Sequence, residues 1–318
     1  MREVSIVIPN YNGKHFLKDC LEAVFAQDIK DQEVIVVDNG STDGSLEYLE
    51  NYPAVRVIVL DKNYGFCRAV NEGIKAADSE YVILLNNDTE VDKNFAKELL
   101  NAIKADQKIF SCSSKMIQFH NRELMDDAGD YYCALGWAFG RGKGGSVKNY
   151  EREGNVFAAC AGAAIYRKEL LEQLGYFDEA HFAYLEDIDI GYRARIHGYR
   201  NVYAPKAKVY HVGSGFSGSV HNAFKVKLSS RNNVYLAYKN MPLLQIILNI
   251  PFLILGHCIK WLFFLRKGLG KEYIIGLKDG VALCKKEMKV RFLWKNLPNY
   301  TMIQLELWLN MLRRLKNN

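Results

Sequence analysis

The segment VILLNNDTEV, residues 82–91, joins a strongly apolar run to polar side chains that could bind a nucleotide or a metal ion. The run from Val82 to Leu85 is typical of a strand buried on both faces of a sheet. Asn86, Asn87 and Asp88 follow where such a strand would leave the sheet. Asp88 offers the hard oxygen ligand that Mg²⁺ or Mn²⁺ prefers, so the segment predicts a polar binding edge.

Polar side chains also end the first two apolar runs of the chain. Asn10 and Tyr11 follow VSIVIP, and Asp38 and Asn39 follow EVIVV. The carboxyl ends of parallel strands meet at one sheet edge, where ligands bind in such folds. A carboxylate such as Asp38 suits nucleotide hydroxyl groups. Local hydrogen bonding in turns is the competing explanation for each position alone, but their convergence favours a binding site.

A second group of candidates lies in GYFDEAHFAYLEDIDIGYRARIHGY, residues 175–199. A helix is predicted to begin near Leu185, which places Glu186 and Asp187 in its first turn. Acidic residues at this position commonly stabilise the free N–H groups of a helix. A carboxylate half-buried among aromatic side chains can instead have a raised pKa and act as a general base.

His211 is a further candidate, because it follows the apolar run AKVY and precedes the glycine- and serine-rich segment GSGFSG. A neutral imidazole is a competent metal ligand, and a loop of this composition can close over a substrate. An isolated histidine is more often structural, so the residues alone leave both explanations open.

One motif is rejected as a nucleotide site. The run GRGKGG, Gly140–Gly145, matches the GxGxxG pattern of dinucleotide-binding proteins. That pattern binds a pyrophosphate only between a first strand and a helix. The following SVKNYEREGN has no apolar helical stripe, so a flexible surface loop is expected. A nicotinamide-dependent dehydrogenase is therefore not expected.

The elements that position these residues alternate strand and helix, which predicts an α/β, doubly wound parallel sheet. Each predicted helix carries apolar residues at helical spacing. Strands are expected at 4–9, 33–38 and 55–60 and from residue 81, and helices at 13–27, 67–77 and about 92–105.

Composition places the chain among globular proteins. It has 318 residues, of which 49% are hydrophobic and 25% charged. Seven cysteines without a CxxC pair, and no secretory leader ahead of VSIVIP, predict a reduced, cytosolic setting.

The net charge of +6 is unevenly distributed. From Lys239 onward there are 14 Lys plus Arg and 4 Asp plus Glu, a balance of +10, which leaves −4 for residues 1–238. A basic tail beside an apolar run indicates an anionic membrane surface. No RNA-reading aromatic motif or zinc spacing accompanies it, so nucleic acid is not expected as a partner.

The apolar run itself, residues 241–259, has no formal charge but contains two prolines and several polar residues. A spanning helix needs about 20 mostly apolar residues. Interfacial or re-entrant helices are expected in preference to a clean span, with a helical pair buried in the soluble domain as the alternative. The final helices either lie on the membrane or form a dimer contact.

Several motifs together resemble the inverting glycosyltransferases of family 2, and more narrowly the bacterial rhamnosyltransferase-like branch. They are VSIVIPNYNG, VIVVDNGSTDGS, NYGFCRAVNEGI, VILLNNDTEV and GYFDE…YLEDIDIGYRARIHGY, over roughly residues 3–240. The resemblance implies a GT-A fold with a mixed sheet. The expected organisation is a transferase domain over 1–225, with a nucleotide-binding half to about 115 and an acceptor half from 116, followed by a helical, membrane-associated extension over 226–318.

The resemblance also implies roles for individual residues. Asn86, Asn87 and Asp88 are similar to the family's DxD metal motif, with Asn86 in place of the first acid and Asp88 as the remaining anionic ligand. The other implied roles are Pro9 and Tyr11 in the base pocket, Asp38 at base or ribose, Arg68 at uracil or thymine, His211 at the metal, Asp187 as catalytic base and Glu186 beside it.

The expected activity is the Mg²⁺- or Mn²⁺-dependent transfer of rhamnose or a hexose, with inversion, from a UDP- or dTDP-sugar. The expected acceptor is a polyprenyl-diphosphate-linked saccharide in cell-surface polysaccharide synthesis, at the cytoplasmic face of the cell membrane. The alternative, favoured only by the missing first acid, is a nucleotide-sugar-binding partner without turnover.

Overall fold

The structure, a computed structural model, describes residues 2–29, 31–213 and 221–316. The first third of the chain alternates strands with helices, and the predicted boundaries agree with the observed ones to within a few residues. These elements are β1 (Arg2–Asn10), α1 (Lys14–Phe25), β2 (Gln32–Asp38), α2 (Ser45–Leu49), β3 (Val55–Val59), α3 (Phe66–Ala76), β4 (Ser79–Leu85), β5 (Thr89–Val91) and α4 (Phe95–Lys104).

The middle of the chain adds mostly short strands, with two helices before the last long strand. Short 3₁₀ turns occur at Val147–Asn149 and Glu179–His181. The regular elements are β6 (Ile109–Gln118), β7 (Met125–Asp127), β8 (Asp130–Tyr132), β9 (Ala138–Gly140), β10 (Gly154–Val156), β11 (Ala163–Arg167), α5 (Lys168–Leu174), α6 (Glu186–Ile196) and β12 (Arg200–His211).

One mixed sheet of ten strands joins both parts, in the order β10-β12-β6-β11-β4-β1-β2-β3. At its sides β5 pairs with β12 and β7 with β6, while β8 and β9 form a separate hairpin sheet. The strands β4, β1, β2 and β3 are parallel, as predicted, and β11 runs antiparallel to β4 and β6. The α/β, doubly wound, mixed-sheet prediction is therefore confirmed.

The strand β4 shows why an apolar run without alternation fits the centre of this sheet. Ile83 and Leu85 pack in the cluster that includes side chains of α1 and α4. Val82 and Leu84 pack on the opposite face, with side chains of α3, α5 and α6. Because both faces are covered, every position of the strand can be apolar, and its polar residues are displaced to the end of the strand.

Four helices follow the sheet: α7 (Ala223–Asn240), α8 (Leu243–Arg266), α9 (Gly270–Leu283) and α10 (Leu297–Lys316). Tyr300, Ile303 and Leu307 of α10 are buried in one cluster with Tyr192 and Ile196 of α6. The helix α10 is thus packed against the helix that carries the predicted catalytic acids.

The helix α8 has its polar residues inside and its apolar residues outside. Gln245 and Asn249 are almost completely buried, and Asn249 exchanges hydrogen bonds of 2.7 and 2.9 Å with Gln304 of α10. The exposed side chains of α8 and α10, called the apolar face below, include Leu243, Leu244, Ile247, Ile254, Leu255, Leu262, Phe263, Met302, Leu305, Leu309, Leu312 and Leu315.

This arrangement removes one of the alternatives that were predicted for the apolar run. Within the described residues, α8 alone has the length and the apolar composition to cross a membrane. Only 11% of its most apolar 18-residue segment is buried inside the protein, whereas a core helix would be mostly buried. The alternative of a helical pair buried in the soluble domain is therefore wrong for α8. Lying on a membrane and crossing it both remain compatible with its composition.

Candidate functional site

A cleft of about 630 Å³ lies at the carboxyl ends of β1 and β4. This is the edge at which parallel sheets bind ligands, and it is where the polar strand ends were predicted to meet. Eight of the ten predicted site residues line it: Pro9, Tyr11, Asn86, Asn87, Asp88, Glu186, Asp187 and His211.

The ends of three parallel strands are hydrogen-bonded to one another in this region. Asn10, at the end of β1, donates from Nδ2 to Asp38 Oδ2 at the end of β2 over 2.9 Å. Asn87, after β4, donates from Nδ2 to Asn10 Oδ1 over 2.7 Å. A Cβ at Gly13 would lie 2.0 Å from Asn87 Nδ2, so a larger residue there would displace this amide. The predicted convergence of polar strand ends is present as one network.

Asp38 and Arg68 are the two predicted site residues that do not line the cleft. Asp38 is completely buried, and its second oxygen accepts the Ser41 N–H over 2.8 Å. Arg68, on α3, pairs with Glu72 at 2.9 Å and with Glu179 at 3.2 Å. Their nucleotide contacts stay predictions, and in this conformation both side chains bond protein groups.

His211, the last residue of β12, lies between two carboxylates. Its Nε2 is 3.3 Å from Asp88 Oδ1, and its Nδ1 is 2.7 Å from Asp126 Oδ2. Burial lowers the pKa of His211, but the bonds to Asp126 and Asp88 outweigh burial and raise it to about 9. The imidazole is therefore protonated at neutral pH in this arrangement, and a cation that used it as a ligand would have to displace that proton.

The glycine-rich turn at Gly140–Gly145 contributes a side chain to the cleft, and no α-helix follows it directly. Gly144 N–H donates to Met125 O, and Met125 N–H donates to Gly145 O, both over 2.8 Å. These bonds fix the turn on β7, so it has a defined geometry and is not the flexible loop expected from its composition. Its Lys143 lines the cleft, with Nζ 3.4 Å from Asp126 Oδ1.

Glu186 and Asp187 lie in the first turn of α6, near Asp130 of β8. Burial raises the pKa of each carboxyl: that of Glu186 reaches about 8, and those of Asp187 and Asp130 lie above their usual values. The Glu186 Oε2 atom is buried with no hydrogen-bond partner in the described part of the chain. Carboxyl groups with raised pKa values in a cleft fit acid–base chemistry.

The alternative explanation, that these acids only stabilise the free N–H groups at the start of the helix, holds in part. The helix begins after Leu185, and no side chain caps it. Asp187 Oδ1 instead accepts the N–H of the next residue, Ile188, over 2.7 Å. Asp187 thus satisfies one free N–H of the first turn and still lines the cleft.

The loop before α6 has an unusual backbone. Phe182, Tyr184 and Leu185 have φ values of 63°, 69° and 68°, in the left-handed region that large side chains rarely adopt. Such conformations persist only where surrounding contacts impose them, and they are common at functional sites. The loop delivers Phe182, Tyr184, Glu186 and Asp187 to the cleft.

Asn232 of α7 holds this loop in place. It is completely buried, and its Nδ2 donates to three loop carbonyls. The acceptors are His181 O at 2.9 Å, Ala183 O at 2.8 Å and Tyr184 O at 2.7 Å. The neighbouring Arg231 adds Nη2 bonds of 2.8 Å to Ala180 O and His181 O. The first C-terminal helix therefore supports the backbone of the candidate catalytic segment.

Two other groups of side chains have the composition of a metal site among the described residues. The first is Asp178, His181 and Asp189. Lys239 Nζ already bonds Asp178 at 2.6 Å and Asp189 at 2.9 Å, so an internal cation balances these carboxylates. This group is a buried ion-pair network and not a vacant ligand set.

The second group, Asp127, Asp130 and Cys160, lies beside the cleft. Burial raises the pKa of Asp127 to about 7 and places those of Asp130 and Cys160 well above their usual values. Asp130 and Cys160 therefore favour their protonated forms, whereas Asp127 is only partly protonated at neutral pH. A cation at Asp88 and His211 stays a prediction.

Sequence reasoning missed Asp126, Asp130 and Lys143. Asp126 and Asp130 belong to the acidic run MDDAGD, whose strands of three residues are too short to show periodicity. Lys143 belongs to GRGKGG, which was predicted to be a surface loop. The part of the glycine- and serine-rich segment that was expected to close over a substrate, residues 214–220, lies outside the described residues.

A family model described as glycosyl transferase family 2 matches residues 5–175, more than half of the chain. The cholesterol galactosyltransferase of Borreliella burgdorferi is 34% identical over 120 residues, 37% of this chain and 34% of that protein. The poly-beta-1,6-N-acetyl-D-glucosamine synthase of Staphylococcus epidermidis is 22% identical over 210 residues, 64% of this chain and 48% of that protein. The chain thus spans between a third and a half of these relatives.

Solved structures share the fold. Residues 1–349 of TarS from S. aureus, in complex with UDP-GlcNAc, give a TM-score of 0.62 at 19% identity, covering 90% of this chain and 82% of that chain. The mannosyltransferase PcManGT from Pyrobaculum calidifontis, with GDP-Man and Mn²⁺, gives 0.53 at 18% identity, covering 96% and 85%. The GT-A fold prediction is confirmed.

Proposed function

Since the chain belongs to glycosyl transferase family 2, we propose that it transfers rhamnose or a hexose, with inversion, from a UDP- or dTDP-sugar. The proposed acceptor is a polyprenyl-diphosphate-linked saccharide of cell-surface polysaccharide, at the cytoplasmic face of the membrane. One observation carries the proposal: a single cleft holds the Asp88–His211 pair and the Glu186–Asp187 pair.

The donor would lie on the strand-end side of the cleft. Pro9 and Tyr11 line it after β1, and Asn86 and Asn87 line it after β4. Amide and hydroxyl groups of this kind recognise a base and a ribose through hydrogen bonds. Asp38 supports this side from beneath by fixing Asn10, at 2.9 Å.

Asp88 and His211 would hold a divalent cation, since a carboxylate, an imidazole and nearby amide oxygens form a donor set that Mg²⁺ or Mn²⁺ accepts. When bound, the cation would neutralise negative charge on the diphosphate leaving group. His211 is kept in place for this role by Asp126, whose Oδ2 lies 2.7 Å from Nδ1. A hydrogen-bonded carboxylate behind a histidine ligand is the usual arrangement at metal sites.

Asp187 would act as the general base. It would take the proton of the acceptor hydroxyl as that oxygen attacks the anomeric carbon from the face opposite the diphosphate. The raised pKa brings Asp187 closer to neutral pH, where a base is most effective. Phe182 and Tyr184 line the same side and would exclude water from the reacting groups.

The second candidate function is a nucleotide-sugar-binding partner without turnover. Asn86 in place of an acid favours it, because only Asp88 of the three strand-end residues is anionic. The two functions differ in one observable. The enzyme releases free nucleotide from a donor sugar, whereas the binding partner does not.

The test is donor turnover with a panel of UDP- and dTDP-sugars, with Mg²⁺, with Mn²⁺ and with excess chelator. We expect cation-dependent turnover, and we expect Asp88→Ala to lower both activity and Mn²⁺ binding measured by electron paramagnetic resonance. Asp28→Ala, at an exposed acid outside the cleft, is the matched control. Equal turnover with excess chelator would remove the cation from the mechanism.

A further inference from the structure

Two pairs of aromatic side chains, three residues apart in the sequence at His221 and Phe224, lie at the cleft and at the apolar face. Phe182 and Phe224 line the cleft, and their ring centroids are 6.1 Å apart. His221 lies two residues before α7, and its ring centroid is 5.6 Å from that of Phe263 on α8. These four residues, Phe182, Phe224, His221 and Phe263, are called the aromatic strip below.

The outer end of the aromatic strip belongs to the apolar face. Phe263 is 42% exposed on α8, and Phe224 is 50% exposed although phenylalanine is among the residues most often buried. Exposed apolar side chains that form a continuous patch mark an interaction site. The inner end of the strip, at Phe182 and Phe224, meets the polar lining of the cleft.

Positive charge accompanies the inner end of the strip. Lys143 lines the cleft, and Lys225 directly follows Phe224. Burial, and then the charge of the Lys143 ammonium, lowers the pKa of Lys225. Two ammonium groups beside an aromatic surface complement a phosphorylated head attached to an apolar chain.

The opposite end of the strip adjoins further cations. Arg266 and Lys267 end α8, and Lys267 Nζ lies 5.0 Å from the Phe263 ring centroid. Basic residues at the end of an apolar helix attract the anionic headgroups of a membrane surface. From the outside inward, the surfaces are therefore the apolar face, the cations Arg266 and Lys267, the aromatic strip, the cations Lys143 and Lys225, and the cleft.

We infer that the aromatic strip binds the isoprenoid-type chain of a diphosphate-linked acceptor and guides its head from the membrane surface to the cleft. The inference rests on the proposed function for the identity of the acceptor. It adds the binding site for the lipid portion, which lies on α7 and α8 outside the matched family region. The aromatic rings would contact the chain, and Lys143 with Lys225 would contact the diphosphate.

The test uses farnesyl diphosphate and inorganic diphosphate as probes for the full chain, with binding measured by titration calorimetry. The wild-type chain should bind farnesyl diphosphate at least about tenfold more tightly than inorganic diphosphate. Phe224→Ala and Phe263→Ala should each lower this ratio about fivefold to tenfold, since removing an aromatic contact at a buried interface has effects of this size.

Two matched controls separate the strip from apolar surface in general. Phe25→Ala removes a phenylalanine of 40% exposure on α1, and Leu244→Ser removes an apolar side chain at the distant start of α8. Neither should change the ratio. An equal loss in either control, or an unchanged ratio in both strip variants, would overturn the inference. If Phe224→Ala fails to fold, Phe263→Ala decides the outcome.

Donor turnover by the wild-type chain is measured in parallel, which keeps the two proposals apart. Turnover without any preference for farnesyl diphosphate would overturn the lipid site and leave the transferase. A preference that depends on the strip, without donor turnover, would support the lipid site and contradict the transferase.

Discussion

Asp187 and Glu186 are adjacent in the first turn of α6, about 100° apart around the helix, so only one of them can face the anomeric carbon. Asp187→Asn keeps the shape and a hydrogen-bonding oxygen but cannot accept a proton at neutral pH. We expect kcat to fall by about 10²- to 10⁴-fold, with little change in donor affinity. Initial rates and UDP binding for the same preparation measure both quantities.

Glu186→Gln is the control for that change, because it also replaces a buried carboxyl by an amide. A larger loss of kcat in Glu186→Gln than in Asp187→Asn would reverse the assignment of the base. If Asp187 serves only the helix terminus, its replacement by Asn would cost little activity, since Asn also interacts well with free N–H groups.

The raised pKa of Glu186 predicts a pH-dependent effect on stability. Burial, and then the Asp187 charge, raises this pKa from 4.5 to about 8. The folded state thus holds the proton more tightly than the unfolded chain. Its contribution is complete below the unfolded pKa and is lost as pH rises towards the folded pKa.

Glu186→Gln does not ionise, so its Tm relative to the wild type should increase between about pH 5 and about pH 8.5. Differential scanning calorimetry at both pH values measures the change. A Tm difference that stays constant over this range would show that the carboxyl titrates normally.

The sequence indicated Asn87 and Asp88 because they follow a continuous apolar run, and Asp187 because it lies at the predicted start of a helix. It did not indicate Asp126 or Asp130, because their strands are too short to show alternation. It did not indicate Lys143, because this residue lies in a turn that was predicted to be a surface loop. The position of Asp38 beneath the cleft was also not predictable, since the pattern gives the strand end and not the depth of its side chain.

At the scale of elements, α7 positions the loop that carries the candidate base. Asn232→Ala would remove one donor from each of three loop carbonyls, although His181 O would keep its bond from Arg231. The positive-φ backbone would lose a contact that imposes it. We expect a stability loss of about 1–3 kcal/mol, together with a fall in kcat that exceeds the change in the donor KM.

Asn310→Ala is the matched control for that variant. Asn310 of α10 is equally buried and donates to Tyr132 O over 2.8 Å, outside the cleft lining. Its loss should lower Tm to a similar extent and leave kcat unchanged. An equal fall in kcat for both variants would show that Asn232 acts through stability alone.

The sheet strands and their helices were largely predictable, because burial on one or two faces imposes a period on the sequence. The orientation of α8 was not. Periodicity identifies an amphipathic helix but does not say which side faces the protein, and in α8 the buried side is the polar one. That choice depends on partners such as Gln304, which lies 55 residues from Asn249.

For the whole molecule, the apolar face and the basic balance of the tail predict binding to anionic liposomes. The full chain should co-sediment with them, and salt should weaken only the electrostatic share. Leu255→Ser combined with Leu312→Ser removes apolar contacts without changing the charge and should lower the bound fraction. Val59→Ser, at a position of 58% exposure on β3, is the control.

A wild-type chain that stays in the supernatant would contradict membrane binding. Sedimentation velocity then addresses the alternative for this face, a homodimer. A dimer that dissociates in the Leu255→Ser and Leu312→Ser variant would assign the apolar face to a second copy of the chain.

The reciprocal bonds between Asn249 and Gln304 have a consequence for how this region tolerates change. Replacing Asn249 by leucine would raise the hydropathy of α8 and make it resemble a membrane span more closely. The same replacement would leave the Gln304 amide buried without its partner and would weaken the attachment of α8 to α10. Substitutions to more apolar residues are therefore tolerated on the outer side of α8, whereas on its inner side they weaken the attachment of α8 to α10.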